Sequence, residues 1–348
     1  TAATLKKGSE TEPAYVRRRT GSGGPAPTFR MEHMNAPIVR ATMLSNGLNP
    51  AIDGEWSIMW SGPGMKTAGY AALHEHQRIN HFPGSTELTR KDLMFGHLDS
   101  MARQFGHDSF DFIPETYVLP QQAEEFVAHA KRAPKSTLWI VKPSNAACGR
   151  GIYVFRHLSM ANLPLHEPCV VSRYVENPLL IQGLKFDLRV YVLVTQYEPL
   201  RAYIYREGLA RFASKPYNTD EASLKDAYRH LTNYSINKNA PNFLENAQLA
   251  ADNYGHKWSL SALNKHLKYV GADVTLIWSR IMDLIVKTLL AVEPSIGART
   301  RKAMEHPGVC FEIYGFDVLV DDALKPWILE VNLSPSMKAE SPLDWQVK

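Results

Sequence analysis

The feature that most constrains the fold of this chain is a pair of strand-like segments near its C-terminal end, joined by a short polar turn. Residues 311–320 and 326–332 are rich in β-branched and aromatic side chains, which favour β-strands. The Asp-Asp-Ala-Leu-Lys segment between them is typical of a turn. If residues 322–325 form a four-residue loop, antiparallel pairing places Asp317 directly opposite Glu330.

Polar side chains meet on one face of this predicted hairpin. Asn332 follows Glu330 by two residues, so both side chains lie on the same face as Asp317. Two neighbouring carboxylates both stay ionised only where a cation balances their charge. Mg²⁺ prefers oxygen ligands of this kind and usually recruits phosphate oxygens as well. The pattern therefore predicts a magnesium site formed by Asp317, Glu330 and Asn332, with structural placement by chance as the alternative.

A second charged pattern lies over residues 185–194, whose period of two is typical of a β-strand. Lys185, Asp187 and Arg189 would share one face of this strand, with apolar side chains on the opposite face. Lys185 and Arg189 would contribute basic groups to a site. A sheet face covered only by water is the alternative, and this strand alone leaves it open.

A small, polar loop that contains glycines lies between two further strand-like segments, residues 137–141 and 151–155. Its small residues, 144–150, allow backbone N–H groups to approach phosphate oxygens closely. The loop matches neither the GxxxxGK[ST] pattern of a Walker loop nor the GxGxxG pattern of a dinucleotide fold. It is a candidate phosphate-binding loop, with a plain hairpin turn as the alternative.

The composition is that of a globular enzyme rather than of a disordered or disulfide-rich chain. The 348 residues are 45% hydrophobic and 21% charged, which allows a large buried core. The cysteines, Cys148, Cys169 and Cys310, are odd in number and far apart, so they indicate neither a disulfide framework nor a metal motif. We expect a reducing compartment of the cytosolic type.

Two helices are predicted from hydrophobic spacing, one over residues 91–105 and one over the most apolar stretch, residues 274–292. In the second, Arg280, Asp283 and Lys287 recur near helical spacing and would share one wet face. This indicates an amphipathic helix rather than a membrane span. The order of residues in a signal peptide is not seen at the N-terminus, so no membrane partner is expected.

Positive charge is concentrated at the N-terminal end. Residues 1–30 hold six basic and two acidic side chains, so the rest of the chain has 33 of each and no net charge. A nucleic-acid-binding protein usually carries positive charge on its folded body, so no nucleic-acid partner is expected. Residues 1–50 are rich in small and polar residues with little hydrophobic period, which predicts a mostly disordered basic lead-in.

The charged strand, the loop and the acidic hairpin are together the parts that ATP-dependent phosphoryl transfer requires, because catalysis there consists of positioning and charge neutralisation. The HRD and DFG motifs of protein kinases do not occur in the sequence. Neither does an HExxH zinc motif or a recognisable Ser or Cys nucleophile triad.

On these motifs the sequence resembles the tubulin tyrosine ligase-like proteins, and among them the tubulin polyglutamylases, from about Glu55 to the C-terminal end. The motifs that carry the resemblance are His81-Phe82-Pro83, Leu88-Thr89-Arg90-Lys91-Asp92, Lys142-Pro143 with the glycine loop, Val171-Ser172-Arg173-Tyr174-Val175, Lys185-Phe186-Asp187-Leu188-Arg189, Glu207-Gly208-Leu209-Ala210-Arg211-Phe212, His230-Leu231-Thr232-Asn233-Tyr234-Ser235, Gly315-Phe316-Asp317 and Leu329-Glu330-Val331-Asn332. So many ordered motifs at the spacing of one family are difficult to obtain by chance.

The resemblance implies an α/β (α+β) protein with the ATP-grasp fold. It implies an N-terminal lobe over residues 51–90, a central lobe over residues 91–176 and a C-terminal lobe over residues 177–348. ATP would lie between the central and C-terminal lobes, and the metal site would belong to the C-terminal lobe.

The resemblance also implies which residues bind ATP and Mg²⁺. Lys142 and the loop around Gly149 would contact phosphates, and Lys91 would approach them. The hinge against adenine would be Ser172, Arg173, Tyr174 and Val175, and the other nucleotide contacts would be Lys185, Asp187, Thr232 and Asn233. The Mg²⁺ ligands would be Asp317, Glu330 and Asn332, as the hairpin pattern also predicts.

The reaction that the resemblance implies joins an amine to a carboxylate. The γ-phosphoryl group of ATP passes to the γ-carboxylate of a glutamate in a tubulin C-terminal tail, and the α-amine of free L-glutamate then displaces phosphate. The expected catalytic residues are Lys142, Arg211 and Glu330.

Glutamate has two carboxylates, so its pocket needs two cations. The matching pocket positions are Arg211, Tyr234, Ser235 and Lys257; without the resemblance, Lys257 would be an ordinary exposed lysine.

Several alternatives remain beside a tubulin polyglutamylase: a tubulin glycylase, a glutamylase of another acidic protein, or a catalytically silent tubulin-binding module. A decayed site would first lose its metal and phosphate ligands, and all of these are present.

Cys148 departs from the polar Arg or Gln usual at this loop position in related glutamylases, and a thiol makes no bidentate contact to an acidic acceptor. We expect a monomer that binds tubulin or microtubules in the cytoplasm and cytoskeleton, including cilia, flagella or basal bodies.

Overall fold

The computed structural model describes residues 26–52, 54–144, 149–156, 163–245 and 252–348. In these ranges the protein is a mixed α/β fold, and its strands form three sheets that follow each other along the chain. The sheets lie within residues 28–79, 116–173 and 180–333.

The first sheet is built from short strands that alternate with helices: β1 (Thr28–Glu32), α1 (Pro37–Ser45), β2 (Asn49–Pro50), β3 (Ile58–Ser61), α2 (Thr67–Ala71) and β4 (Arg78–Ile79). The strands are parallel, in the order β2-β1-β3-β4. The prediction that residues 1–50 are mostly a disordered lead-in is therefore wrong for residues 28–50. These residues are ordered by a partner distant in the sequence, since Phe29 pairs with Ile58. Residues 1–25, with their arginine run, lie outside the described residues.

The second sheet is antiparallel and follows two helices. The elements are α3 (Thr86–Thr89), α4 (Lys91–Phe105), β5 (Thr116–Leu119), α5 (Ala123–Arg132), β6 (Trp139–Pro143), β7 (Tyr153–Phe155) and β8 (Cys169–Arg173). The strand order is β5-β8-β6-β7, and α5 packs against the sheet through Phe126, whose ring centroid lies 5.2 Å from that of Trp139. The helix predicted over residues 91–105 is confirmed, and so are the two strands predicted on either side of the glycine loop, each of which starts two residues later than predicted.

The third sheet contains the longest strands: β9 (Leu180–Ile181), β10 (Leu184–Tyr197), β11 (Leu200–Phe212), β12 (Lys257–Ser259), β13 (Glu312–Val320) and β14 (Pro326–Leu333). Its order is β12-β11-β10-β13-β14, with β9 paired to β10, and all neighbours are antiparallel. The helices in this part of the chain are α6 (Ala227–His230), α7 (Tyr234–Asn237), α8 (Leu260–Tyr269), α9 (Val274–Ala303) and α10 (Pro342–Val347).

Helix α9 packs on the third sheet and is amphipathic, as predicted. Ile281 and Leu284 are buried in the same core cluster as Val318 of β13, whereas Arg280 and Asp283 are exposed. Lys287 is half-buried and donates to Asp283 at 2.7 Å. Among the residues that the structure describes, no helix has both the length and the apolar composition needed to cross a membrane.

The predicted C-terminal hairpin forms, and Asp317 pairs with Glu330 as predicted. The predicted loop over residues 322–325 is wrong by one residue, because Val320 pairs with Pro326. The register shifts between Asp317 and Val318, where Leu329 is the extra residue of a β-bulge. This bulge compensates for the longer turn and restores the pair of carboxylates.

Candidate functional site

A cavity lies where the second sheet, the third sheet and the segment after α6 meet. Apolar side chains form part of the wall, among them Ile140, Ile152 and Leu319. The residues expected from the sequence that line the cavity are Lys142, Ser172, Arg173, Tyr174, Val175, Lys185, Asp187, Thr232, Asn233, Asp317 and Glu330. Residues far apart in the chain are thus brought together around one space.

Two buried lysines line this cavity. Burial lowers the pKa of Lys142 to about 8, with Glu330 offsetting the effect only in part. Burial lowers the pKa of Lys185 to about 7, and Asp187 again offsets it only in part. Since a bound anion would favour the charged form of both groups, the cavity is electrostatically suited to a phosphate-bearing ligand.

A chain of hydrogen bonds holds Lys185. Its Nζ donates to the Tyr174 hydroxyl at 2.9 Å, and that hydroxyl lies 2.9 Å from His230 Nδ1. His230 Nε2 lies 3.1 Å from the carbonyl oxygen of Ser223, so Nε2 carries the proton and Nδ1 accepts one. Burial, and then the Lys185 charge, lower the pKa of His230 to about 4, which keeps the ring neutral. His230 begins one of the motifs that carry the family resemblance, but the sequence indicated no role for its ring.

The charged face of β10 is not covered by water. Arg211 Nε donates to Asp187 at 2.8 Å across the β10–β11 pair, and Arg189 Nε donates to Asp317 at 2.6 Å across the β10–β13 pair. Arg211 Nη2 also reaches Asp317, at 2.7 Å. The solvated-face alternative is therefore wrong, because these groups form a buried ladder of alternating charges.

Asp317 is the most strongly paired acid of this ladder. Burial alone would raise its pKa, but the guanidiniums of Arg189 and Arg211 hold the pKa of Asp317 well below its usual range. Glu330 forms an ion pair of 3.0 Å with Lys91 of α4. Protein cations therefore already balance both carboxylates, so charge balance alone does not require a metal ion.

The donor atoms of the predicted metal site nevertheless suit Mg²⁺. Asp317 and Glu330 stand opposite each other, and Asn332 Nδ2 lies 3.3 Å from Glu330 Oε1. Because the nitrogen of Asn332 faces the carboxylate, its amide oxygen is the atom that could bind a cation. All three side chains thus offer the oxygen ligands that Mg²⁺ prefers. Metal binding at these residues remains a prediction.

The glycine loop approaches the same region. Gly149 has φ of +77°, and a Cβ atom there would lie 3.0 Å from Asn233 Oδ1 and would also meet Ile236, so only glycine fits. Among the described residues, Ser144 at the start of this loop has a buried Oγ without a hydrogen-bond partner. An unpaired buried hydroxyl is suited to a ligand atom. Residues 145–148, including Cys148, lie outside the described residues.

The residues expected to hold glutamate form a cluster beside the cavity. Arg211 and Lys257 pair across β11 and β12, and Lys257 Nζ lies 4.1 Å from the ring centroid of Tyr234. Ser235 follows Tyr234 in α7. Lys257 is only 8% exposed, so the alternative of an ordinary exposed lysine is wrong. Its Nζ lies 3.1 Å from both carboxylate oxygens of Asp344, a contact that no sequence pattern indicated.

Comparison with known proteins connects this site to one family. Residues 71–348 match the model of the "Tubulin-tyrosine ligase family". The chain is 40% identical over 325 residues to "Tubulin polyglutamylase TTLL5" of Mus musculus, covering 92% of this chain and 24% of that protein. It is 42% identical over 339 residues to "Tubulin polyglutamylase ttll-5" of Caenorhabditis elegans, covering 92% and 46%.

The chain is also similar to a relative that is named as a monoglutamylase. "Tubulin monoglutamylase TTLL4" of Mus musculus is 42% identical over 294 residues, which covers 84% of this chain and 24% of that protein. The chain therefore spans about a quarter of the length of its mouse relatives. Since the family model matches most of the chain, the protein belongs to the tubulin-tyrosine ligase family.

Proposed function

We propose that this chain is the catalytic part of an ATP- and Mg²⁺-dependent ligase that adds glutamate to glutamate side chains of tubulin C-terminal tails. The observation that carries the proposal is the single cavity in which Lys142, Lys185 and Glu330 meet, beside the cluster of Arg211 and Lys257. The cavity suits a nucleotide, and the cluster suits an amino acid with two carboxylates. The names of the relatives favour tubulin as the acceptor.

The fold that we propose is an ATP-grasp fold with lobes over residues 51–90, 91–176 and 177–348. The separation of the strands into three successive sheets supports it, although β1 extends the first lobe toward the N-terminus. ATP would lie between the second and third lobes, which is where the cavity has its walls.

ATP binding is assigned to both sides of the cavity. Lys142 and the backbone around Gly149 would contact the phosphates, and Ser172 to Val175 would lie along the adenine. The remaining nucleotide contacts would come from Lys185, Asp187, Thr232 and Asn233. Asp317, Glu330 and Asn332 would hold Mg²⁺, which when bound neutralises phosphate charge.

The proposed reaction has two steps. In the first, the γ-phosphoryl group is transferred to the acceptor carboxylate, giving an acyl phosphate and ADP. In the second, the α-amine of free glutamate attacks the acyl carbon, phosphate leaves, and an isopeptide bond forms. Lys142 would neutralise charge during the first step. Arg211, held in place by Asp187 and Asp317, would lie close to the acyl oxygen in the second.

Selection of glutamate would depend on its two carboxylates. Arg211 is planar and suited to one carboxylate, whereas Lys257 offers a compact ammonium to the other. Glycine has only one carboxylate, so it would leave the contact at Arg211 or at Lys257 unused and would bind more weakly than glutamate. With tubulin as the partner, the proposed activity would occur in the cytoplasm and on the cytoskeleton, including that of cilia.

The test is incorporation of labelled glutamate, glycine and tyrosine into tubulin with Mg-ATP. The parent protein should incorporate glutamate, and Glu330→Gln should reduce the rate by about 100-fold or more, because it removes a ligand and charge used in phosphoryl transfer. Glu305→Gln, at an exposed position, is the matched control. Incorporation of glycine alone would contradict the glutamate pocket, and unchanged turnover of Glu330→Gln would contradict the metal assignment.

A further inference from the structure

Helix α10 brings a buried carboxylate to the cluster assigned to glutamate. Asp344 is only 1% exposed and accepts hydrogen bonds from Lys257 Nζ at 3.1 Å with each of its oxygens. Lys348 Nζ lies 3.3 Å from Oδ1 of the same carboxylate, and the backbone N–H of Glu340 donates to Oδ2 at 3.1 Å. The carboxylate is therefore fixed from several directions.

This carboxylate separates two ammonium groups. Burial alone would raise the pKa of Asp344, but Lys257 and Lys348 lower it. With all three groups ionised, the set carries one net positive charge. Without Asp344, two poorly solvated ammonium groups would face each other, and the repulsion would move Lys257 away from its present position.

The position of the Lys257 ammonium is set by its partners. Its Nζ lies between the Asp344 carboxylate and the ring of Tyr234, whose centroid is 4.1 Å away. Free lysine side chains are flexible, so these two contacts reduce the freedom of the ammonium relative to Arg211 on the adjacent strand. A fixed spacing between two cations is what selects a ligand with two carboxylates at a matching distance.

We propose that Asp344 is a positioning residue for the amino-acid substrate, which holds Lys257 at the distance from Arg211 that a dicarboxylic amino acid requires. This inference rests on the proposed function, because it takes Lys257 as a contact of free glutamate. Asp344 itself acts through Lys257 and touches no reacting atom.

The test is the kinetics of Asp344→Asn, which keeps the shape of the side chain and removes its charge. Its KM for glutamate should rise about tenfold, the size expected for loss of a charge-assisted hydrogen bond. Its kcat at saturating glutamate and its KM for ATP should stay within about twofold of the parent values, because the nucleotide contacts are unchanged. Trp345→Gln, at a 58% exposed position of the same helix, is the control and should change none of these values.

One further variant keeps the inference separable from the proposed function. Lys257→Met should raise the KM for glutamate at least as much as Asp344→Asn; an unchanged value would overturn both the glutamate pocket and the role of Asp344. A raised KM in Lys257→Met with a parent-like KM in Asp344→Asn would overturn only the role of Asp344. Equal losses in kcat and in ATP binding would show that Asp344 is merely structural.

If Asp344→Asn does not fold, Asp344→Glu gives the same test. It keeps the charge but moves the carboxylate by one methylene, so the KM for glutamate should rise about threefold with kcat retained. A KM for glutamate equal to that of Trp345→Gln would again overturn the inference.

Discussion

Two groups of buried charge line the cavity, and they are balanced in opposite ways. Lys142 and Lys185 have lowered pKa values because burial outweighs their acidic neighbours. Asp317 has a lowered pKa because two guanidiniums outweigh its burial. The acid is thus held in its charged form by the protein itself, whereas a bound anion would stabilise the charged form of the two lysines. The arginine–aspartate ladder is therefore stabilised by its own ion pairs, whereas the two lysines are better stabilised once an anionic ligand is bound.

The largest effect should come from breaking the arginine–aspartate ladder. Asp317→Asn leaves Arg189 and Arg211 buried with less compensating charge, so we expect the free energy of unfolding to fall by about 3–5 kcal/mol. Denaturant unfolding measures it, with Glu305→Gln as the exposed control. A loss below about 1 kcal/mol would show that the ladder is no more important than a surface pair.

Stability should respond in the opposite way when one of the two cavity lysines is removed. Lys185→Met removes a cation that burial disfavours, so the free energy of unfolding should stay equal or rise. Binding of ATP should weaken by about 10- to 100-fold through loss of a charge-assisted contact. Calorimetric titration measures the binding, and Lys265→Met, at an exposed position of α8, is the control. Strong destabilisation with normal ATP affinity would reverse the assignment of the two regions.

The pH dependence of stability should sharpen the same comparison. The pKa of Lys185 is about 7 in the folded protein and near 10.5 when unperturbed. Between these values the unfolded chain binds more protons, so this lysine makes stability rise with pH over that window. The difference in unfolding free energy between parent and Lys185→Met should therefore increase in favour of the parent from about pH 7 upward. A difference independent of pH would contradict the lowered pKa, and saturating Mg-ATP should flatten the dependence.

The smallest effect should come from the hydrogen-bond chain behind Lys185. Tyr174→Phe removes the hydroxyl that accepts from Lys185 and faces His230, but it keeps the buried ring. We expect ATP affinity to fall by only about three- to fivefold, because the hydroxyl acts on the nucleotide only through the position of Lys185. Tyr269→Phe, at a highly exposed position, should leave the affinity unchanged. A loss as large as that of Lys185→Met would mean that the hydroxyl contacts the nucleotide directly.

Features that depend on residues close in the chain could be predicted from the sequence, whereas those that depend on distant residues could not. Helix α4 and the pair of Asp317 and Glu330 depend on residues close in the chain, so spacing was sufficient for them. The order of residues 28–50 depends on β3, and short parallel strands leave little local pattern.

The ion pairs show the same limit more clearly. Period two placed Asp187 and Arg189 on one face, but their partners Arg211 and Asp317 come from other strands. Whether water or an opposite charge covers such a face is decided by strand order, which spacing does not contain. Asp344 lies 87 residues from Lys257 on a short helix, and only the folded chain brings them together.

The bulge at Leu329 separates the geometry of the turn from that of the carboxylate pair. The carbonyl oxygen of Leu329 accepts from Lys142 Nζ at 3.3 Å, while the next side chain, Glu330, contacts Lys91. The backbone of Leu329 and the side chain of Glu330 thus contact lysines from two different elements, β6 and α4. Because the extra residue places a backbone acceptor directly before a carboxylate, deleting Leu329 would displace both lysine contacts at once.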